Sequence, residues 1–172
     1  MNPPPLPLPG PELTPDERTL LQLLASAAGD RSISTTTGRP LNSIAGAVTA
    51  LLDKTGCRTR TQAAAWATAQ RIVTSTTQPC AAQTALPHLP PRMLRILRAW
   101  AGGVSPEEVR AELGVAVGTM RGYSARILNA LGVHRQEQAA VAGVLCGLVE
   151  PTHITPAWAE LPAGTPPVSA AA

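Results

Sequence analysis

The sequence predicts an all-α fold of two tandem four-helix units with disordered, proline-rich tails. Three observations predict it: an aliphatic core composition, helical spacing of the apolar residues, and an internal repeat. Hydrophobic residues make up 44% of the 172-residue chain, yet Phe is absent and only three Trp and one Tyr occur. A core of Ala, Leu, Ile and Val suits close-packed helices better than sheets, which favour β-branched and aromatic residues.

Two segments of similar length align with each other without a gap when one is displaced by 76 positions. The matches are Leu13 with Leu89, Pro15 with Pro91, Leu21 with Leu97, Gly38 with Gly114, Gly56 with Gly132, and Gln62 with Gln138. Such a repeat indicates two copies of one supersecondary unit. We therefore divide the chain into a tail at 1–11, unit 1 at 12–74, a linker at 75–88, unit 2 at 89–149, and a second tail at 150–172.

Capping signals place two of the helix starts. Thr14 and Glu17 form a capping box around Pro15 in unit 1, and Ser105 and Glu108 repeat the pattern in unit 2. In a capping box the two side chains satisfy backbone amides at the helix start, and proline fits the first helical position.

The order of helices in unit 2 is that of a helix-turn-helix motif. A helix of about eight residues is expected to end at Gly114, which suits a left-handed cap, and a longer one to follow at Val117–Leu131. In this motif the second helix is free to enter the major groove of DNA. A fourth helix is expected at Arg135–Val149, with its counterpart in unit 1 at Thr61–Ile72.

Unit 2 contains a set of residues whose order and spacing match one known domain family with no insertion or deletion. Its members are Leu89, Pro91-Arg92, Ile96-Leu97-Arg98, Ala101-x-Gly103-Val104-Ser105, Glu108-Val109, Leu113-Gly114-Val115, Thr119-Met120-Arg121, Ile127-Leu128, Leu131-Gly132-Val133 and Gln138-Ala139. With this set, residues 89–140 resemble the LuxR-type DNA-binding domain. Unit 1 resembles the same family from Leu13 to Ala63. The resemblance implies DNA binding through the third helix of a unit and dimerisation through the fourth.

The middle of unit 1 departs from the family pattern. Its second helix is expected at 30–38, where a run of Ser and Thr is a poor helix former because hydroxyls compete for the backbone. Ala45, Gly46 and Ala47 leave its third helix without a side-chain donor at the positions that matter for DNA. Unit 2 is therefore expected to be the main DNA reader.

The resemblance also implies which residues touch DNA. The family carries a Thr or Ser that contacts phosphate and, two residues later, a Lys that reaches bases or phosphate; here these are Thr119 and Arg121. An arginine fork can bind guanine or phosphate. The predicted DNA-contact residues are Thr119, Arg121, Gly122, Tyr123, Arg126 and Arg135 in unit 2, and Asn42, Ser43 and Lys54 in unit 1. For Tyr123, simple surface packing is an equal alternative.

The recognition helix of unit 2 has weak points of its own. Ala116 stands where the family has a Ser cap, and Gly118 and Gly122 lie inside the helix. Each interior glycine costs about 0.5–1 kcal/mol relative to alanine. A glycine on the groove side also lets the backbone approach a ligand closely, and the sequence leaves the reason for these two open.

The charge and the chemically reactive residues carry few functional signals. The net charge of +3 permits nucleic-acid binding without requiring it. We expect no catalytic residue, no metal and no cofactor, because His88, His134 and His153 have no partners at suitable spacing. Cys57, Cys80 and Cys146 lie far apart and are interpreted as thiols in a reducing cytosol. No apolar run is long enough for a membrane span.

The sequence thus predicts a cytoplasmic, bacterial, DNA-binding transcriptional regulator that is not an enzyme. It would read the major groove of double-stranded DNA mainly with the third helix of unit 2, and its two units would pair as a pseudo-dimer. The alternative is a protein-interaction module that has lost DNA binding and acts on another regulator or RNA polymerase. A monomer with internal pseudo-symmetry and a homodimer are both open.

Overall fold

A computed structural model describes residues 11–73 and 88–154 of the chain. These residues form helices and connecting turns, and they contain no strand. The all-α fold is therefore confirmed for this part of the chain. All but the last residue of the predicted N-terminal tail lies outside the described residues, as do most of the predicted linker and everything beyond 154.

The helices of the described segments repeat in order and length. They are α1 Pro15–Ala25, α2 Asp30–Thr37, α3 Leu41–Thr55, α4 Arg60–Ala69, α5 Pro91–Ala101, α6 Pro106–Leu113, α7 Val117–Leu131, α8 Gln136–Leu145 and α9 Pro151–Ile154. The bounds of α5 to α8 are those of α1 to α4 displaced by 76 positions. None of the described helices is both long enough and apolar enough to cross a membrane.

Left-handed backbone conformations recur at the same displacement. The residues with positive φ are Ala27 and Gly103, Gly38 and Gly114, Gly56 and Gly132, and Arg71 and Gly147. Each pair ends equivalent helices, where a left-handed residue lets the last carbonyls find amide partners. The repeat in the sequence is therefore also a repeat of backbone conformation.

Both predicted capping boxes are confirmed. The Glu17 amide donates to the Thr14 hydroxyl at 3.3 Å, and the Thr14 amide donates to the Glu17 carboxylate at 2.7 Å. The equivalent distances at Ser105 and Glu108 are 3.2 and 2.8 Å. These bonds fix the starts of α1 and α6.

The hydroxyl-rich stretch of unit 1 forms a full helix, α2. The hydroxyls of Thr35 and Thr37 donate to the carbonyls of Arg31 and Ile33 at 3.0 and 2.7 Å, so they supplement the helical bonding instead of disrupting it. Ile33 is completely buried. The packing of this one side chain outweighs the low helix propensity of its neighbours.

The fourth helix of each unit is shorter than predicted. α4 ends at Ala69 and α8 at Leu145, three and four residues before the predicted ends. Arg71 and Gly147 then adopt left-handed conformations with φ of +57° and +70°, which turns the chain away from the helix axis. The apolar residues beyond these turns still pack into the core, and for that reason the apolar pattern predicted longer helices.

One core runs through both units. α4 and α8 have the most extensive contact of any helix pair in the described segments, and α1 also touches α8 while α5 touches α4. The alanines of this contact are fully buried: Ala63, Ala64, Ala65, Ala67, Ala139, Ala140 and Ala142. Because alanine side chains are short, they let two helices approach closely. The two units pack against each other through the equivalent helices α4 and α8.

The predicted C-terminal tail begins too early. The sequence predicts a tail from residue 150, whereas residues 151–154 form α9, which contacts α4 and α5. Ile154 is fully buried, and its carbonyl accepts a hydrogen bond from Gln62 Nε2 at 2.8 Å. A helix of four residues is too short to give a periodic apolar signal, so the sequence does not reveal it.

The cysteines differ from expectation at one position. Cys57 is a free thiol, and its burial raises its pKa. Cys146 is disulfide-bonded, so the interpretation of three thiols is wrong for this residue. Separation along the sequence says nothing about pairing, because pairing depends on the folded distance between two residues.

Candidate nucleic-acid interface

α6, the turn at Gly114, and α7 form a short helix, a tight turn and a long helix in succession. Gly114 has φ of +62°, as its predicted role requires, and α7 has its predicted bounds. Ala116 is the N-cap of α7 and makes no side-chain capping bond, also as predicted. The side chains of Met120, Ile127 and Leu131 bury one face of α7 and leave the opposite face exposed.

Four residues form a line along α7 on the face opposite its buried side chains: Gly118, Gly122, Ala125 and Asn129. We call this line the α7 ridge. All four are exposed. A Cβ atom added at either glycine would meet no atom within 4 Å, apart from the helix backbone and the chain neighbours. Packing within the described residues therefore does not require glycine at these two positions.

Two arginines flank the α7 ridge. Arg121 and Arg126 are five positions apart, which places their side chains about 140° apart around the helix. Both are exposed, and neither forms an ion pair with a described residue. Thr119 is exposed on the same side of the ridge as Arg126. Each side of a ridge of small side chains thus carries a free guanidinium group.

Tyr123 is tied to a neighbouring helix. Its phenol oxygen accepts a hydrogen bond from Arg92 Nη1 of α5 at 3.3 Å, and the guanidinium carbon lies 6.0 Å from the ring centroid. Sequence reasoning did not single out Arg92 as a contact residue, because the pairing joins positions 31 apart. The repeat alignment offered a signal: Arg92 is matched by Asp16, a reversal of charge.

Arg135 lies on the next helix as the N-cap of α8. Its Nε is 3.6 Å from the carboxylate of Glu137, so its charge is partly balanced within α8. The predicted contact residues of unit 2 therefore divide into a group on α7 and this separate arginine.

The predicted contact residues of unit 1 are arranged differently. Asn42 and Ser43 are exposed at the start of α3, where the Ser43 hydroxyl donates to the Pro40 carbonyl at 2.8 Å. Lys54 Nζ lies 2.7 Å from a carboxylate oxygen of Glu17 on α1. The hydrogen bond from Lys54, with that from the Thr14 amide, lowers the pKa of Glu17. Lys54 is therefore already engaged in an ion pair within unit 1.

The outermost line of α3 carries no cation. Its residues are Asn42, Gly46, Thr49 and Asp53, and the positions equivalent to Arg121 and Arg126 are Ala45 and Ala50. Leu41 begins α3 and is 51% exposed, much like Val117 at the start of α7, which is 52% exposed. The two third helices thus share an exposed aliphatic start and differ in charge.

No group of three His, Cys, Asp or Glu side chains in residues 11–73 and 88–154 could hold a metal ion. The chemistry that the described α7 surface offers is hydrogen bonding and positive charge: hydroxyl, phenol and guanidinium donors around an open backbone.

No family model, no curated protein and no solved structure matches this chain.

Proposed function

We propose that this chain is a bacterial DNA-binding transcriptional regulator built from two LuxR-type helix-turn-helix units, with α6 and α7 as the DNA-reading pair. The α7 ridge and its two flanking arginines carry the proposal. Under this proposal the protein binds double-stranded DNA in the cytoplasm and is not an enzyme.

The α7 surface suits the dimensions of a DNA groove. The major groove is about 12 Å wide, and an α-helix with its side chains is about 10–12 Å across. A ridge of small residues lets the helix backbone sit deep between the groove walls. Arg121 and Arg126, on opposite sides of the ridge, then face the two walls, where phosphates and base edges offer acceptors. Thr119 adds a hydroxyl donor beside Arg126.

The contacts between the units favour an intramolecular pseudo-dimer. In a two-fold pair, each contact is made twice with the roles exchanged. The contacts of α1 with α8 and of α5 with α4 are such an exchanged pair, and α4 on α8 is the self-matched contact at the centre. Polar links cross the same boundary, including the Arg58–Glu108 ion pair at 3.2 Å. Unit 1 then serves as the packing partner of the reading unit.

A salt-dependent titration tests the proposal. Purified protein is titrated against short duplex fragments of bacterial genomic DNA at several salt concentrations, with the Arg121→Ala variant alongside. We expect binding that weakens steeply with salt, since each phosphate contact contributes about −0.9 to the log–log slope. Arg121→Ala should weaken binding by roughly tenfold, the size expected for one lost arginine contact of about 1–3 kcal/mol.

Arg31→Ala is the matched control. Arg31 is exposed on α2 of unit 1, and its loss removes the same charge from the chain. It should leave binding nearly unchanged. Absence of binding at low salt, or equal losses in the two variants, would sink the proposal that α7 reads DNA.

The second candidate function is a protein-interaction module acting on another regulator or on RNA polymerase. The observation that favours it is the α3 surface, which has an exposed Leu41, no cation on its outer line, and the carboxylate of Asp53. A chain that ignores DNA at low salt but co-purifies with RNA polymerase, and loses this association on Leu41→Asp, would support this candidate.

A further inference from the structure

The three arginines of α5 are used in different ways. Arg95 pairs with Glu112 of α6, and Arg98 Nε donates to the carbonyl of Leu148 at 3.0 Å. Arg92 forms no ion pair with a described residue and bonds instead to the phenol of Tyr123. A guanidinium has five N–H donors, and one phenol oxygen engages few of them. Arg92 therefore keeps both its charge and most of its donors.

Arg92 lies beside one flank of the α7 ridge. Its partner Tyr123 is four residues after Thr119 and three before Arg126, and residues at these separations are neighbours on a helix surface. The contact of 3.3 Å with the Tyr123 hydroxyl places the guanidinium next to that row. Thr119, Tyr123, Arg126 and Arg92 thus form one continuous donor surface built from two helices, which we call the α5–α7 flank.

Unit 1 has the opposite charge at the equivalent place. Asp16 occupies the position of Arg92, and its carboxylate lies 3.2 Å from the guanidinium of Arg39. Ala47 occupies the position of Tyr123, so it provides no phenol. The fold itself requires neither an arginine at this position nor its pairing with Tyr123.

We infer that Arg92 is a further DNA-binding residue, which contacts a backbone phosphate of the strand that faces the α5–α7 flank. Tyr123 is its positioning residue: the phenol accepts from one N–H and aims the remaining donors at the phosphate. An arginine held in this way binds phosphate through parallel N–H bonds, which a lysine cannot form. The inference rests on the proposed function, because it requires α7 to lie in the groove.

The experiment compares Arg92→Ala, Arg92→Lys, Tyr123→Phe and Arg95→Ala with the wild type in the same salt titration on a duplex fragment that the wild type binds. Arg92→Ala should lower affinity by roughly tenfold and flatten the salt slope by about 0.9, the contribution of one phosphate. The loss should be similar for duplexes of different sequence, since phosphate contacts carry no sequence information.

The conservative variants separate contact from positioning. Arg92→Lys should keep the salt slope and lose only part of the affinity, because the charge stays and the fork is lost. Tyr123→Phe should do the same, since it removes the acceptor that aims Arg92 and leaves every charge in place. Arg95→Ala, which removes a paired arginine from the same helix, should bind like the wild type. Thermal unfolding of each variant checks that the fold is intact.

The outcomes distinguish this inference from the proposed function. If Arg121→Ala weakens binding while Arg92→Ala keeps the wild-type affinity and slope, the phosphate contact is refuted and the groove-reading helix stands. Equal losses for Arg92→Ala and Arg95→Ala would also refute it, because net charge would then explain both. If the wild type binds no duplex at low salt, both proposals fall.

Discussion

The two units have the same backbone and different surfaces. Each of the four helices of unit 1 returns in unit 2 at the same displacement, and so does each left-handed residue that ends a helix. The equivalent buried positions are apolar in both units: Leu21 and Leu97, Ile33 and Val109, Ile44 and Met120, and Leu51 and Ile127. The shared features are those that packing and chain direction require.

The differences lie on the exposed face. Each described segment carries seven basic and five acidic residues, so net charge does not separate the units. Placement does. Around the third helix, unit 1 has Asp16, Ala45, Ala50 and Asp53 where unit 2 has Arg92, Arg121, Arg126 and Asn129. Each change makes unit 2 more positive at its surface. The two units thus share a core that fixes their fold and differ at a few exposed positions around the third helix.

The largest effect is expected at a turn that the units build from different residues. Gly103 has φ of +82°, and a Cβ there would lie 2.2 Å from Gln62 Oε1. Gln62 is buried and is held by the Arg58 amide at 2.6 Å as well as by Ile154. Gly103→Ala should lower the free energy of unfolding by about 2–4 kcal/mol, from left-handed strain and overpacking together.

The matching turn in unit 1 should respond in the opposite sense. Ala27 already adopts φ of +60°, so Ala27→Gly removes strain and should raise stability by about 0–1 kcal/mol after the entropy of glycine is counted. Denaturant unfolding of both variants measures the contrast. The clash is isolated by introducing Gly103→Ala into a Gln62→Ala background, where it should cost less. Equal costs in the two backgrounds would show that Gln62 is not the obstacle.

The glycines shared by the third helices give a smaller and sharper contrast. Gly46 and Gly122 occupy equivalent positions, and a Cβ at either meets open space. Gly→Ala at each should raise the free energy of unfolding by about 0.5–1 kcal/mol, because the helix loses a flexible residue. Under the proposed function, Gly122→Ala should weaken binding severalfold in DNA titrations, since its methyl group would lie where α7 meets the groove floor. Gly46→Ala should not.

This pair of variants excludes misfolding as an explanation, because both should be more stable than the wild type. If Gly122→Ala is more stable and binds DNA as tightly as before, the backbone at this point makes no close contact. If Gly46→Ala weakens binding as much as Gly122→Ala does, unit 1 also enters the DNA and the functional division between the units is wrong.

Most of the fold could be predicted because its signals are local. The capping boxes at Thr14 and Ser105, the left-handed Gly114, and the apolar spacing of α7 each act within a few residues of the chain. The sequence did not predict α9 or the ends of α4 and α8, because tertiary packing determines them. Ile154, for example, is held by the rest of the core and not by its own short helix.

Members of the candidate site that share one helix could be proposed from the sequence, whereas pairings between helices could not. Arg121 is expected from the resemblance to LuxR-type domains, and Gly122 and Arg126 lie on the same helix. Arg92 beside Tyr123 and Lys54 beside Glu17 depend on which helix packs against which, and these distances are encoded in no single stretch of sequence. The same limit explains why the sequence suggests Lys54 as a DNA contact, whereas the structure pairs it with Glu17.

The smallest expected effect concerns that ion pair, which unit 2 lacks because Met93 and Ala130 replace its members. The hydrogen bond from Lys54 is the main cause of the lowered pKa of Glu17. A carboxyl group whose pKa is lower in the folded state stabilises the fold above its unfolded pKa, and this contribution disappears as the pH falls through the folded value. Unfolding free energies of Glu17→Gln, Lys54→Gln and the double variant should therefore show a small coupling at pH 7 that shrinks as the pH falls and Glu17 becomes protonated. Because both side chains are partly exposed, salt should also reduce the coupling. A coupling that stays constant as the pH falls until the protein unfolds would mean that packing of the two side chains, and not their charges, joins α1 to α3.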